Sequence, residues 1–229
     1  MSYSSHILGY LYIIKGDTFI MNTKIDISKN MATQNSNFPI LAVSNRHLAA
    51  HPFLDQIERV CQAHPAALIL REKDLPAEDY KTLAIRVLPI CQQYNVSCIL
   101  HTFWQDALAL GCTCIHLPLP LLRSLAGADG TALEKLAGFS VIGTSVHSVD
   151  EALEAERLGA TYVAAGHIYV TDCKKGLAPR GLKFLQTVCK SVSLPVYGIG
   201  GIKFDPAQWQ ELESAGAAGG CIMSGMMEL

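Results

Sequence analysis

The chain is short of the features that mark several large functional classes. No C-x-x-C occurs among its eight cysteines (61, 91, 98, 112, 114, 173, 189 and 221), which removes the common zinc-ribbon and dithiol signatures. Several of these thiols fall within predicted strands or helices, so they are expected to be reduced, most of them as core residues. No run of Lys and Arg appears, and the net charge is −2. A nucleic-acid footprint is therefore not expected. No apolar stretch is long enough to span a bilayer. No G-x-G-x-x-G follows the first predicted strand, which argues against a dinucleotide-binding open sheet. What is plentiful is apolar residues, 50% of 229, enough for the core of one domain of ordinary size.

Residues 1–37 stand apart from the rest. Ile7 to Ile14 is apolar but short, with no basic segment before it and no clear small-residue cleavage site after it. Residues 22–37 are rich in Asn, Ser, Thr and Lys, and Met21 and Met31 offer alternative starts. This stretch is treated as an N-terminal extension, and 38–229 as the folded domain, expected to be cytoplasmic.

From Phe38 onward, strands and helices alternate. Apolar runs predict strands over 39–43, 66–70, 97–101, 113–117, 140–145, 161–166, 195–199 and 220–223. Between them lie helical patterns over 53–63, 76–94, 104–110, 148–159, 182–189 and 205–216, with weaker helical turns at 119–125 and 131–136. Pro76 is read as opening its helix in the first turn. Ser148 with Glu151 forms a capping box, and Asp205-Pro206 reads as a cap followed by Pro at the first helical position. Eight such units call for parallel βα pairing and a closed (β/α)8 TIM barrel in one domain. The segment is lean beside the roughly 250 residues typical of that fold, and the last helix is truncated because the chain stops at Leu229. A second copy of the chain, as in a homo-oligomer, or the N-terminal extension could cover that gap.

In such a barrel, residues at the C-terminal ends of the strands face the active site. Those positions hold Ser44 and Asn45; Arg71 and Lys73; His101; His116; Ser145 and His147; His167, Thr171 and Lys174; Gly200 and Gly201; and Ser224 and Gly225. The stretch Gly166-His-Ile-Tyr-Val-Thr-Asp-Cys-Lys-Lys-Gly-Leu-Ala-Pro-Arg-Gly181 is the most informative. It is a polar, cationic loop after a buried strand, suited to a small anionic substrate. Gly200-Gly201 and Ser224-Gly225 end two successive strands, where backbone N–H groups can hold a phosphate. His147, before a helix cap, is placed to transfer protons near neutral pH; a histidine merely flanking the helix start is the plain alternative. For Arg71, a bridge to Glu72 or Asp74 competes with an anion-binding role. Adjacent Lys174 and Lys175 can equally be a solvated loop. Cys112, Cys114 and His116 fall on one strand face by period two, but strand neighbours point the same way and do not easily close a tetrahedral metal site.

These residues resemble the thiamine phosphate synthase/TenI superfamily. The resemblance is carried by Leu70-Arg-Glu-Lys73, Ala107-Leu-Ala-Leu-Gly111, Ile115-His-Leu117, Gly143-Thr-Ser-Val-His-Ser-Val-Asp-Glu-Ala152, the 166–176 loop, Gly198-Ile-Gly-Gly-Ile202 and Met223-Ser-Gly225. The 166–176 loop is most similar to the TenI branch. The resemblance implies a barrel of thiamine biosynthesis, and on the TenI branch a thiazole tautomerase that aromatises a thiazole carboxylate phosphate tautomer. It puts the proton shuttle on His147, phosphate on Gly200, Gly201, Ser224 and Gly225, and anion contacts on Arg71, Lys73 and Lys174, with Ser145 and Thr171 lining the same pocket. No metal or other cofactor is implied for that reaction. The alternative is thiamine phosphate synthase, which joins a pyrimidine diphosphate to a thiazole phosphate with Mg2+; a non-catalytic regulatory binder of thiazole or thiamine phosphates is a third reading. The chain departs from the synthase pattern. Where synthases carry Gln before the second-strand Arg, it has Ile69. Where they have Asn-Asp-Arg, it has His101-Thr-Phe103, and Pro118-Leu-Pro120 replaces their Gly-Gln-Asp.

Overall fold

The computed structural model describes residues 10–14, 17–21, 38–127, 130–174 and 176–229. Eight parallel strands close into a barrel. They are β1 (Ile40–Val43), β2 (Ala67–Leu70), β3 (Ser97–His101), β4 (Cys114–Pro118), β5 (Val141–Val146), β6 (Tyr162–Gly166), β7 (Val196–Ile199) and β8 (Gly219–Ile222). Pairing runs in sequence order, and β8 closes on β1 through Cys221 opposite Leu41. Each strand lies within one residue of its expected ends, because short apolar runs bounded by Gly, Pro and polar residues mark buried parallel strands clearly.

The helices are α1 (Phe53–Gln62), α2 (Ala77–Gln93), α3 (Trp104–Ala109), α4 (Leu119–Ser124), α5 (Val149–Arg157), α6 (Gly181–Ser191), α7 (Pro206–Ser214) and α8 (Ser224–Met227). Pro76 is the N-cap of α2 rather than part of its first turn; its carbonyl accepts the Tyr80 N–H at 2.9 Å. Asp205 caps α7 through the Ala207 N–H, with Pro206 at the start. Residues 131–136 form a hydrogen-bonded turn, in which the Leu136 N–H donates to the Ala132 carbonyl at 3.1 Å. Cys112 precedes β4 rather than lying on it, so the expected strand face is held by Cys114 and His116 alone.

The period of two along each strand divides the core. Leu41 and Val43 face the barrel interior with Ile69, Ile99, Tyr162 and Tyr197. Ala42, Leu68, Leu70 and Leu100 face the helices. Tyr162 fills the interior because β5 offers it a glycine: a Cβ on Gly143 would sit 2.1 Å from the Tyr162 Cζ. The short α8 is pinned from inside the chain. Gln56 of α1 donates to the Met226 carbonyl at 2.9 Å and the Leu229 carbonyl at 3.2 Å, and the Ala50 N–H donates to the Met227 carbonyl at 2.8 Å.

Within the N-terminal extension, Tyr10–Ile14 and Asp17–Met21 pair as an antiparallel hairpin. The rest of 1–37, and Lys175, lie outside the described residues. Among the described residues, no helix is long and apolar enough to cross a membrane.

Candidate active site

The mouth of the barrel is built from the loops after the strands. After β1 and β2, a buried carboxylate organises the backbone. Glu72 is 2% exposed. It accepts the Ser44 hydroxyl at 2.6 Å, the Arg46 N–H at 3.0 Å and Arg46 Nη1 at 3.3 Å. Ser44 Oγ in turn accepts the Arg71 N–H at 2.8 Å. Arg46 also grips Asp74 with both terminal nitrogens, and His47 Nε2 lies 2.9 Å from Asp74 Oδ2. Arg46 and His47 thereby hold the Asp74 carboxyl well below the usual carboxylate range. Glu72 and Asp74, which by sequence could bridge to Arg71, each form an ion pair with Arg46. Nothing local in the sequence marks Arg46, because its two partners lie 26 and 28 residues away.

Arg71 and Lys73 follow β2 and come together with Lys174 from the loop after β6. Partial desolvation lowers the Lys73 ammonium from its ordinary value, and the charges of Arg71 and Lys174 lower it further. The same two β2 cations act on a pair of histidines deeper in the mouth. His101 and His116 are opposite each other on β3 and β4, and their rings stack at 5.6 Å and 16°. Burial, then His116, Arg71 and Lys73, take His101 down to about 2. Burial, Arg71 and Lys73 take His116 down to about 3. Both imidazoles are therefore neutral at physiological pH. His116 Nδ1 bonds the Tyr162 hydroxyl at 2.8 Å, and its Nε2 bonds Ser145 Oγ at 2.9 Å. Ser145 thus reaches the mouth with its hydroxyl held by His116. By sequence Tyr162 is simply part of a buried strand; its contact to His116 spans 46 residues.

His147 follows β5, with its side chain 43% exposed. Its N–H donates to Glu151 Oε2 at 2.5 Å, and Ser148 Oγ accepts the Glu151 N–H at 3.1 Å. The expected capping box is present in altered form, since the glutamate reaches His147 rather than Ser148. Desolvation lowers the His147 imidazole from its ordinary value. Glu151 opposes this, whereas Lys174, Arg180 and His167 add to it. Arg180, one cation of the 166–181 loop, sits at the start of α6, and its N–H donates to the His167 carbonyl at 2.9 Å. His167 is 9% exposed, and its Nε2 is buried with no hydrogen-bond partner among the described residues.

The loops after β6 and β7 run together. The Tyr169 N–H donates to the Gly200 carbonyl at 2.9 Å. Gly200 and Gly201 have φ of 98° and 71°. A Cβ on Gly200 would lie 2.3 Å from the His167 Cβ, so only glycine fits this turn. Ser224 and Gly225 open α8 beside the same loop, where a Cβ on Gly225 would come 3.2 Å from the Phe204 ring. Thr171 and Lys174 share a short turn, in which the Lys174 N–H donates to the Thr171 carbonyl at 3.1 Å.

A family model described as thiamine monophosphate synthase (TMP-TENI) matches residues 40–226. The chain belongs to this family. A thiamine-phosphate synthase of Clostridium acetobutylicum is 31% identical over 200 residues, covering 85% of this chain and 89% of its own. One from Methanobrevibacter smithii is 31% identical over 199 residues, covering 85% and 90%. A solved thiamine phosphate pyrophosphorylase from Pyrococcus furiosus superposes with a TM-score of 0.68 at 26% identity, covering 84% of this chain and 88% of that one. The ends of β3 and β4 carry His101, Thr102, Pro118 and Leu119. His101 Nδ1 bonds Thr102 Oγ1 at 2.6 Å. Pro118 runs directly into α4, whose Leu119 is buried. These residues offer no carboxylate, and hard Mg2+ is held by oxygen ligands. They do not fit a magnesium diphosphate.

Proposed function

We propose that this barrel is a thiazole tautomerase acting on a thiazole carboxylate phosphate, with His147 moving the proton. The observation that carries the reading is the setting of His147. It stands at the mouth of β5, where desolvation, with Lys174 and Arg180, lowers the imidazole from its ordinary value against the opposing Glu151 carboxylate. A neutral imidazole can accept a proton from carbon and return it at another position, the task of an acid–base catalyst working near neutral pH. Neighbouring cations suit a substrate that carries both a carboxylate and a phosphate. In this reading Arg71, Lys73 and Lys174 take up carboxylate and phosphate charge. Gly200, Gly201, Ser224 and Gly225 offer backbone N–H groups to the phosphate. Ser145 and Thr171 line the pocket between them. The reaction conserves atoms and calls for no metal or organic cofactor.

The direct test follows conversion of the thiazole carboxylate phosphate tautomer to its aromatic form by the wild type and by His147→Asn. The wild type should turn it over, and the variant should lose about two to four orders of magnitude in kcat, the usual contribution of a positioned acid–base group. Full activity in the variant would remove His147 from the mechanism.

The names of the relatives favour a second reading, thiamine-phosphate synthase. Against it stand the residues after β3 and β4, which supply no oxygen cage for a metal diphosphate.

A further inference from the structure

Glu151 enters the sequence reading as half of a helix cap. The structure gives its carboxylate a second contact. Oε2 accepts the His147 N–H at 2.5 Å and lies 3.6 Å from His147 Nδ1. In an ordinary capping box the glutamate returns to the N–H of the cap residue itself. Here Ser148 is that residue, and its hydroxyl already accepts the Glu151 N–H. The carboxylate instead reaches one residue further back, to the residue that bears the imidazole. One oxygen therefore faces both the backbone and the ring of the same histidine.

The other charged groups acting on His147 come from different elements. Lys174 belongs to the turn after β6, Arg180 to the start of α6, and His167 directly follows β6. All three disfavour the imidazolium, as does desolvation, and Glu151 opposes them. A proton shuttle in a cationic pocket needs such a counterweight, because its charged form must exist for part of every cycle.

We propose that Glu151 is the positioning residue of His147: it holds Nδ1 beside its carboxylate and leaves Nε2 to take and return the substrate proton. The inference rests on the tautomerase reading above. The step balances without a co-reactant. A C–H proton passes to neutral Nε2, the imidazolium forms beside the Glu151 carboxylate, and a proton returns to a different carbon. At 3.6 Å the ring and carboxylate are an ion-pair distance apart, longer than a hydrogen bond. They close on each other when the imidazolium forms, as catalytic contacts often tighten only in the reacting complex.

The test separates charge from helix capping. Glu151→Gln keeps the length of the side chain and an oxygen for the His147 N–H but removes the charge. Ser148→Ala removes the cap hydroxyl and keeps the carboxylate. The His147 imidazole is titrated by NMR without substrate in the wild type and both variants. Turnover of the thiazole tautomer is then measured against pH in the same proteins and in His147→Asn. In Glu151→Gln the His147 midpoint should fall by about one pH unit. Its kcat should drop about tenfold or more with little change in KM, and the acid limb of the pH profile should move down with the midpoint. In Ser148→Ala the midpoint should stay in place. An unmoved midpoint in Glu151→Gln overturns the pairing, whatever the activity. A shifted midpoint with unchanged kcat and pH profile overturns the positioning role. Absence of turnover in the wild type, or full turnover in His147→Asn, overturns the tautomerase reading and the catalytic half of this proposal; the pairing itself is still decided by the titration.

Discussion

Replacing Glu72 by Ala should be among the most damaging single changes at the barrel mouth. Its carboxylate is 2% exposed and accepts from the Ser44 hydroxyl, the Arg46 N–H and Arg46 Nη1. Ser44 is itself wholly buried. The alanine would leave that hydroxyl without its acceptor and the Arg46 guanidinium with only its exposed partner. Hydrogen bonds to a charged group contribute about 1.5–3 kcal/mol each, and a stranded buried polar group costs about 1–3 kcal/mol. These contributions are not additive within one network, so a loss of about 3 kcal/mol is a reasonable centre. For a domain of this size that lowers the Tm by roughly 6–12 °C. Asp74→Ala is the control. Asp74 pairs with the same Arg46, but its side chain is 52% exposed, and exposed pairs contribute little. Its Tm should stay close to that of the wild type. Thermal melts followed by circular dichroism measure both. A Glu72→Ala protein that melts within about 2 °C of the wild type, or an Asp74→Ala protein that loses as much as Glu72→Ala, would refute the argument that burial decides the difference.

Gly200→Ala should lower stability by about 1–3 kcal/mol through its left-handed backbone alone and should abolish binding of inorganic phosphate, since its Cβ would meet His167; calorimetric titration with phosphate checks this, and unchanged affinity would contradict the proposed grip. The pH dependence of stability has a definite sign. His101 and His116 have folded pKa values of about 2 and about 3, below the ordinary value of about 6.5. The unfolded chain therefore binds more protons, and stability falls as pH drops from about 6.5 towards those values, by about 1.4 kcal/mol per pH unit for each histidine. Denaturant unfolding at pH 6 and pH 5 should show this slope, and His116→Gln should reduce it by one histidine's share; an equal slope in that variant would refute the buried neutral assignment.

The barrel was readable because each strand is a short apolar run closed by turn residues. The Asp205-Pro206 start of α7 was readable because both residues act locally. The backbone glycines of the candidate grip were legible for the same reason. The contacts that organise the mouth were not. Arg46 meets Glu72 because the closed barrel places the ends of β1 and β2 side by side, and His116 meets Tyr162 across Gly143 of the intervening β5. Nothing in the local pattern of Tyr162-Val-Ala-Ala165 distinguishes a core tyrosine from one that bonds a histidine. Glu151 shows an intermediate case. Its spacing from Ser148 predicted a cap, and the cap forms, but whether the carboxylate turns to Ser148 or to His147 depends on side-chain geometry that spacing does not encode. Pro118-Leu-Pro120 was informative for what it lacks, and the structure adds that the strand passes straight into α4, with Leu119 buried.

The most direct test of the central claim is a side-by-side assay of the purified protein. One arm receives the thiazole carboxylate phosphate tautomer; the other receives pyrimidine diphosphate with thiazole phosphate. Each is run with Mg2+ and with EDTA. The account predicts aromatisation of the tautomer at equal rates in both conditions and no detectable thiamine phosphate in the second arm. Robust magnesium-dependent formation of thiamine phosphate, with the tautomer left unchanged, would contradict it.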